Sequence, residues 1–266
     1  MGGRSACVKN VIIPLNAFDR KEVLENGQIA FIKLITASGA YGVEIRRELF
    51  TDEILPLKHL REKIAATSLF TVYSAPIELW KKDGSLNIKE LQLTFQEADL
   101  LSASWVKTSL GHYIKGVSNL EDLKQFLKNV EVKLFVENDQ TQYGGNISDL
   151  KHFFESAYIS DVPVRMTFDT GNWMYTNEKW MDALMQLKEF VAYLHLKNVI
   201  QNGKELTTIA LSNSENAAWR FIAGQFPIDL PKALEFPIAP VNRLREYVEM
   251  VETNKTYKEG EVLCKS

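Results

Sequence analysis

Residues 132–137 (VKLFVE), 163–169 (PVRMTFD), 191–196 (VAYLHL) and 232–236 (KALEF) decide the fold. Each is a short run of β-branched, aromatic and aliphatic residues, and such runs between helical patterns read as strands of βαβ units. The intervening stretches have the other period. Residues 148–160 begin with Ser148 and Asp149, and residues 177–190 place Trp180, Leu184 and Leu187 on one face. Working back toward the N-terminus, 105–110 (WVKTSL), 69–74 (LFTVYS), 43–46 (VEIR) and 8–15 (VKNVIIPL) give four more strands. Helical periodicity covers 20–38, 57–66, 88–101, 119–128 and 241–253, while 201–229 is irregular. Eight strands alternating with helices over about 250 residues predict an α/β chain folded as a single closed (β/α)8 TIM barrel. The barrel is expected over about residues 8–255 of one domain spanning 1–266, with a polar tail at 256–266.

The rival architecture is an open doubly wound sheet, which carries a glycine-rich phosphate loop after its first strand. Here the first strand is followed by Asn16-Ala17-Phe18-Asp19, and neither GxGxxG nor GxxxxGK[ST] occurs in the chain. That favours the barrel and argues against a nucleotide cofactor.

Composition narrows the function classes. The 266 residues carry 31 basic and 34 acidic side chains, a net charge of −3, so the chain lacks the basic excess of a nonspecific nucleic-acid binder. No nucleic-acid partner is expected. No apolar run approaches the ~18 residues needed to span a bilayer, and residues 1–10 have no apolar signal core, so a cytoplasmic protein without membrane contact is expected. The Met-Gly-Gly-Arg-Ser-Ala start has alanine where a myristoylation signal wants Ser or Thr. Cys7 and Cys264 stand near opposite ends and read as reduced thiols. Homo-oligomerisation is compatible with the composition but not legible in it.

Chemistry in such a barrel sits at the C-terminal rim of the strands. The last four strands each end near one metal-ligating side chain: Glu137, Asp169, His195 and Glu235. Taken singly, each has an ordinary explanation: a loop charge, a turn-forming Asp-Thr-Gly, a core histidine. Together they form a mixed O/N set suited to Mn²⁺, Zn²⁺ or Co²⁺, with Mg²⁺ also admissible. Burying three carboxylates together without a cation is costly, because like charges in a poorly solvated pocket oppose one another's ionisation. Further polar residues at the rim are Arg46, Lys107, His112, Asn172 and Lys197, with Trp173 as a wall on which a sugar can stack.

The ordered run of strand-end Glu137, Asp169-Thr170-Gly171-Asn172, His195-Leu196-Lys197-Asn198 and Leu234-Glu235 resembles the xylose-isomerase-like TIM barrel family, which is sugar phosphate isomerase/epimerase-like. Gly42-Val43-Glu44-Ile45-Arg46 resembles that family's second strand. The resemblance covers about residues 8–255. It implies one divalent metal held by Glu137, Asp169, His195 and Glu235, and a catalytic acid/base pair of Glu137 and Glu235. It implies a small carbohydrate or sugar phosphate as substrate, isomerised or epimerised through a metal-stabilised enediolate. Lys107 or Lys197 would steady the oxyanion, and Asn172, Arg46, His112 and Trp173 would contact substrate. The chain departs from the family at Asn172, where a histidine is usual; asparagine hydrogen-bonds but does not titrate. Alternatives are a metal-dependent dehydratase or lyase on the same site, or a non-catalytic sugar- or partner-binding barrel. A nuclease of the endonuclease IV kind would need more histidines than the four present, of which His59 and His152 fall in predicted helices.

Overall fold

A computed structural model describes residues 8–51 and 55–254. Eight parallel strands close into a barrel. In chain order they are β1 (Val11–Pro14), β2 (Gly42–Arg46), β3 (Phe70–Trp80), β4 (Trp105–Gly111), β5 (Lys133–Glu137), β6 (Val164–Asp169) and β7 (Val191–Leu196). The antiparallel hairpin β8 (Asn198–Asn202) and β9 (Glu205–Ile209) intervenes, and β10 (Lys232–Leu234) then pairs with both β7 and β1 to close the ring.

Nine helices accompany the strands among the described residues: α1 (Arg20–Asn26), α2 (Ile32–Ala37), α3 (Leu57–Ala65), α4 (Ile88–Leu101), α5 (Leu120–Leu127), α6 (Ile147–Ile159), α7 (Trp180–Leu187), α8 (Ala218–Gly224) and α9 (Leu244–Glu252). Three details differ from the sequence expectation. The helix expected over 20–38 is two helices, because Gly27 (φ 71°, ψ 154°) turns the chain after α1 and a 3-10 turn leads into α2. The third strand runs on to Trp80 through a register shift between Ser74 and Glu78. The segment 201–229, expected to be irregular, holds most of the β8–β9 hairpin and α8. The N-terminal lipidation signal, both cysteines and the tail 256–266 lie outside the described residues. Among the described residues no helix is long and apolar enough to cross a membrane.

Strand alternation sorts the side chains into two layers. Val11, Val43, Ile45, Val106, Leu134, Val136, Met166, Phe168, Leu194, Leu196 and Leu234 join the large outer core beneath the helices. The opposite parity forms a separate inner cluster of Ile12, Val72, Trp105, Phe135, Tyr193 and Ala233. Trp105 is its hub, with ring centroids 4.5 Å from Phe70, 4.6 Å from Phe135 and 5.5 Å from Tyr193. This apolar plug fills the barrel, and residues of the same parity one step further along each strand stand above it.

Candidate metal centre

That next step brings together Glu44 and Arg46 of β2, Lys107 of β4, Glu137 of β5, Asp169 of β6, His195 of β7 with Lys197 just beyond it, and Glu235 just beyond β10. The alternation that puts Phe135 and Tyr193 in the plug puts Glu137 and His195 over it. All eight side chains are buried or nearly so; Glu44, Asp169 and His195 are fully enclosed.

One ligand atom each from Glu137, Asp169, His195 and Glu235 lies within 4.8 Å of the others. His195 Nδ1 is 3.0 Å from Glu137 Oε1 and 3.2 Å from Glu235 Oε2. These four side chains stand close enough together to hold one divalent ion. Three of the converging atoms, Glu137 Oε1, Asp169 Oδ2 and His195 Nδ1, are buried without a well-aligned hydrogen-bond partner. Their near neighbours are one another and Lys197 Nζ, 2.8 Å from Asp169 Oδ2, and a cluster of buried donor atoms so loosely paired fits a divalent cation. Hard carboxylate oxygens with one imidazole suit Mn²⁺, Zn²⁺, Co²⁺ or Mg²⁺.

The scaffold orients each donor. Asp169 Oδ1 accepts from the backbone N–H groups of Gly171 and Asn172, both at 2.8 Å, which turns Oδ2 toward the centre. Asn138 pairs with the Asp169 backbone through both ends of its amide, at 2.8 and 3.1 Å. Glu235 Oε1 accepts from Asn16 Nδ2 at 3.1 Å and Arg46 Nη1 at 3.0 Å, while Oε2 accepts from Lys197 Nζ at 2.9 Å. Glu137 Oε2 accepts from Lys107 Nζ. His195 Nε2 faces Glu44 Oε2 at 3.0 Å, and that oxygen also accepts from Tyr193 Oη at 2.9 Å. A carboxylate holding the Nε2–H leaves the Nδ1 lone pair for a metal, the arrangement that fixes metal-ligating histidines.

Electrostatics follow from packing four carboxylates among four nitrogen bases. Burial opposes ionisation of Glu44, but His195, Lys107 and Arg46 outweigh it and hold the carboxyl well below its ordinary range. Burial likewise opposes the charge on Lys107 and Lys197, and the surrounding carboxylates override it, pushing both ammonium groups up. Asp169 goes the other way. Burial, reinforced by Glu235 and Glu137 and only partly offset by Lys197, pushes it up to about 7.

Above the centre opens a cavity of ≈ 480 Å³, whose lining includes Asn16, Arg46, Gln140, Asn172, Thr208 and Phe236. Glu137, Lys197 and Glu235 face into it as well. Thr208 comes from β9, so the hairpin walls one side. The expected site residues sort accordingly. Arg46, Lys107 and Lys197 join the four candidate ligands; Lys107 lies below the cavity, bound to Glu137. Asn172 lines the cavity, but its amide is committed, donating to Asn138 O at 2.8 Å and accepting from Gln140 at 3.2 Å. Trp173 is a correction: at 1% exposed it packs on Phe168 in the outer core and offers no wall to a sugar. His112 is also absent from the cavity lining, stacking on Tyr143 at 3.7 Å.

Glu44, Asn16 and Asn138 are neighbours of the candidate ligands to which the sequence reading gave no individual role. Glu44 had a signal: in Val43-Glu44-Ile45-Arg46 a glutamate and an arginine share one face between two aliphatic residues.

No family model matches the chain, and no curated protein matches it. Solved structures do. A xylose isomerase domain containing protein from Salmonella typhimurium superposes with a TM-score of 0.64 at 13% identity, covering 95% of this chain and 96% of that one. The apo form of 3-keto-D-glucoside 4-epimerase YcjR from E. coli gives 0.59 at 14% identity, with 92% and 99% covered. The IolI protein, solved with a binding zinc atom, gives 0.66 at 12% identity, with 92% and 96% covered. The likeness establishes a shared fold over the whole barrel.

Proposed function

From a barrel with the xylose-isomerase-like fold and a three-carboxylate, one-imidazole centre at its mouth, we propose a divalent-metal-dependent isomerase or epimerase of a small sugar or sugar phosphate. The observation that carries this reading is the convergence of one ligand atom each from Glu137, Asp169, His195 and Glu235, within 4.8 Å of one another, beside the cavity. An epimerase and a zinc-binding protein among structures of the same fold support it.

A bound divalent ion supplies Lewis-acid polarisation of a hydroxy-carbonyl, lowering the pKa of the C–H beside the carbonyl. The chain's own groups do the rest. Glu137, a carboxylate that lines the cavity, takes that proton. Lys197 Nζ and Arg46 Nη1 place positive charge where the substrate oxygens become anionic. Asn16, Gln140 and Thr208 offer amide and hydroxyl groups to the remaining hydroxyls, and Phe236 gives an apolar face. Return of the proton by Glu137 to the neighbouring carbon, with the hydroxyl proton passing to the former carbonyl oxygen, is isomerisation. Epimerisation needs a second base on the far side, the place of Glu235.

One observation favours a second reading, elimination of a β-hydroxyl by a dehydratase or lyase. Both oxygens of Glu235 are engaged, by Asn16 and Arg46 on one and Lys197 on the other. A carboxylate so held is a poor proton shuttle, whereas elimination needs one base and a cationic group near the departing oxygen.

Elemental analysis of protein purified without chelator tests the centre. Near one equivalent of Mn, Zn, Co or Mg is expected in the wild type and is lost in E137Q and H195A. No metal in any preparation, even after soaking, overturns the reading. Ketose and keto-acid panels in deuterated water then separate the reactions, since exchange without loss of water marks isomerisation or epimerisation and release of water marks elimination.

A further inference from the structure

Two lysines touch the candidate ligands, and the structure gives them different work. Lys107 is the hydrogen-bond donor to Glu137 Oε2, and His195 and this lysine are that carboxylate's close contacts. Removing it frees Glu137 to turn. Lys197 stands differently. Its Nζ is 2.8 Å from Asp169 Oδ2 and 2.9 Å from Glu235 Oε2, two of the oxygens that converge on the centre. Neither carboxylate depends on it for position. Asp169 is anchored through Oδ1 by two backbone N–H groups, and Glu235 through Oε1 by Asn16 and Arg46.

Lys197 is itself fixed. Its backbone N–H donates to Thr170 Oγ1 at 3.0 Å, its carbonyl accepts from the same hydroxyl at 3.0 Å, and its stem lies against Gly171. A Cβ on Gly171 would come within 2.7 Å of Lys197 Cγ, so the absence of a side chain there is what lets the stem cross to the centre.

We propose that Lys197 is a resident counter-cation that competes with the divalent metal for Asp169 Oδ2 and Glu235 Oε2, holding metal affinity down and the ion exchangeable. The inference rests on the metal-centre reading above. An ammonium group and a divalent ion drawing on the same two oxygens repel each other, and each takes electron density the other needs. Because the oxygens keep their places without the lysine, its removal subtracts the repulsion and leaves the donor set standing. The same ammonium lines the cavity, so when an ion takes the oxygens the lysine remains at hand for a substrate oxygen.

The test is the dissociation constant for Zn²⁺ and for Mn²⁺, measured by competition with a chromophoric chelator on the intact protein. Outer-shell substitutions commonly weaken metal binding about 10–100-fold. K197M, which keeps the stem and loses the charge, is expected to bind at least about tenfold more tightly than wild type, against that usual direction. K197R, which keeps the charge, stays close to wild type. K107M, which loses a positioning contact, binds no more tightly than wild type. Equal or weaker binding in K197M overturns the proposal, as does equal tightening in K107M. If K197M does not fold, K197Q carries the same comparison, with the same two outcomes. Absence of binding in wild type and in all variants would instead overturn the metal centre itself.

Discussion

Glu44 is the side chain whose loss should be felt most widely, and its expected cost can be worked from its contacts. In E44A, Tyr193 Oη and His195 Nε2 lose the acceptor they share, at 2.9 and 3.0 Å. Arg46 Nη1 loses one of two acceptors and keeps Glu235. Hydrogen bonds to a charged group contribute about 1.5–3 kcal/mol each, and a broken buried ion pair costs about 3–5 kcal/mol. With two buried donors orphaned and Lys107 left 3.8 Å from an empty place, about 4 kcal/mol is expected, a large share of the ~5–15 kcal/mol of a typical domain. E44Q retains one acceptor oxygen and should lose about half as much. The pH dependence has a definite sign. Glu44 is held below its ordinary value of 4.5, so its contribution is complete above pH 4.5 and fades as the pH falls below it. Urea unfolding of wild type, E44Q and E44A at pH 7 and pH 3.5 reads both effects. E44A should also lose about 10–100-fold in Zn²⁺ affinity, because nothing then fixes the Nε2–H tautomer of His195. An E44A protein within about 1 kcal/mol of wild type at pH 7, with unchanged Zn²⁺ affinity, would refute this account of Glu44.

Three other outcomes are expected. Lys232 is buried at the start of β10, donating to the carbonyls of Ile228 and Leu230, and burial, only partly offset by Asp229 and Glu252, pushes it down to about 8. The unfolded chain therefore holds a proton that the folded one releases between about pH 8 and its ordinary 10.5, so stability rises with pH across that window. Thermal melts should show that rise in wild type and a smaller one in K232M. Saturating metal at about 100 times its dissociation constant should add about 2.7 kcal/mol and raise the melting temperature of wild type but not of H195A; equal shifts in both would place the ion elsewhere. Gly171→Ala drives a methyl against Lys197 Cγ and Val199 Cγ2, both 2.7 Å from the new Cβ, and should reduce turnover of any identified substrate more than it reduces stability. Activity and melting temperature measured on the same preparation decide that point.

The barrel was legible because its signal is periodic. Eight runs of alternating or continuous apolar residues, with a helical stretch after all but the seventh, leave little freedom in a chain of this length. The four candidate ligands were legible because each stands at a strand end, where barrel chemistry is built. What escaped was everything that parity and long-range pairing decide. Glu44 lies 93 residues from Glu137 and 151 from His195, and nothing local marks it as the partner of a histidine so remote. Trp173 misled for a related reason. Its place directly after Asn172 suggested the cavity, yet the 3-10 turn at Asn172–Met174 rotates it by one position into the outer core against Phe168. The β8–β9 hairpin was hidden because its residues are polar and half-exposed, without the alternating apolar face by which strands announce themselves.

The distribution of cations explains how such a centre can exist in a folded barrel before any ion arrives. Glu44, Glu137, Asp169 and Glu235 crowd into a region closed from below by the Trp105 plug, so water cannot screen them from beneath. The compensation is written into the strands at a spacing of two. Arg46 follows Glu44 and Lys197 follows His195 on the same inward face, and Lys107 rises from β4 between Glu44 and Glu137. Three fixed positive charges stand against four carboxylates, Asp169 among them with its ionisation opposed by burial and by Glu235 and Glu137, and protonation of His195 adds a fourth positive charge. Burial opposes that protonation, but Glu44, with Glu235 and Glu137, holds the ring's pKa well above its ordinary value. A divalent ion held there would replace a proton on His195 Nδ1 and enter a site whose carboxylates already face cations. That is the opposite of a zinc finger, where the ligands repel until the metal arrives and the metal drives folding. Here the sign of each outer contact fixes its effect. In a metal-loaded centre the anion behind the histidine would strengthen binding by holding a ligand in the right tautomer, and the role proposed for the cation beside the carboxylates is to weaken it by contesting their lone pairs.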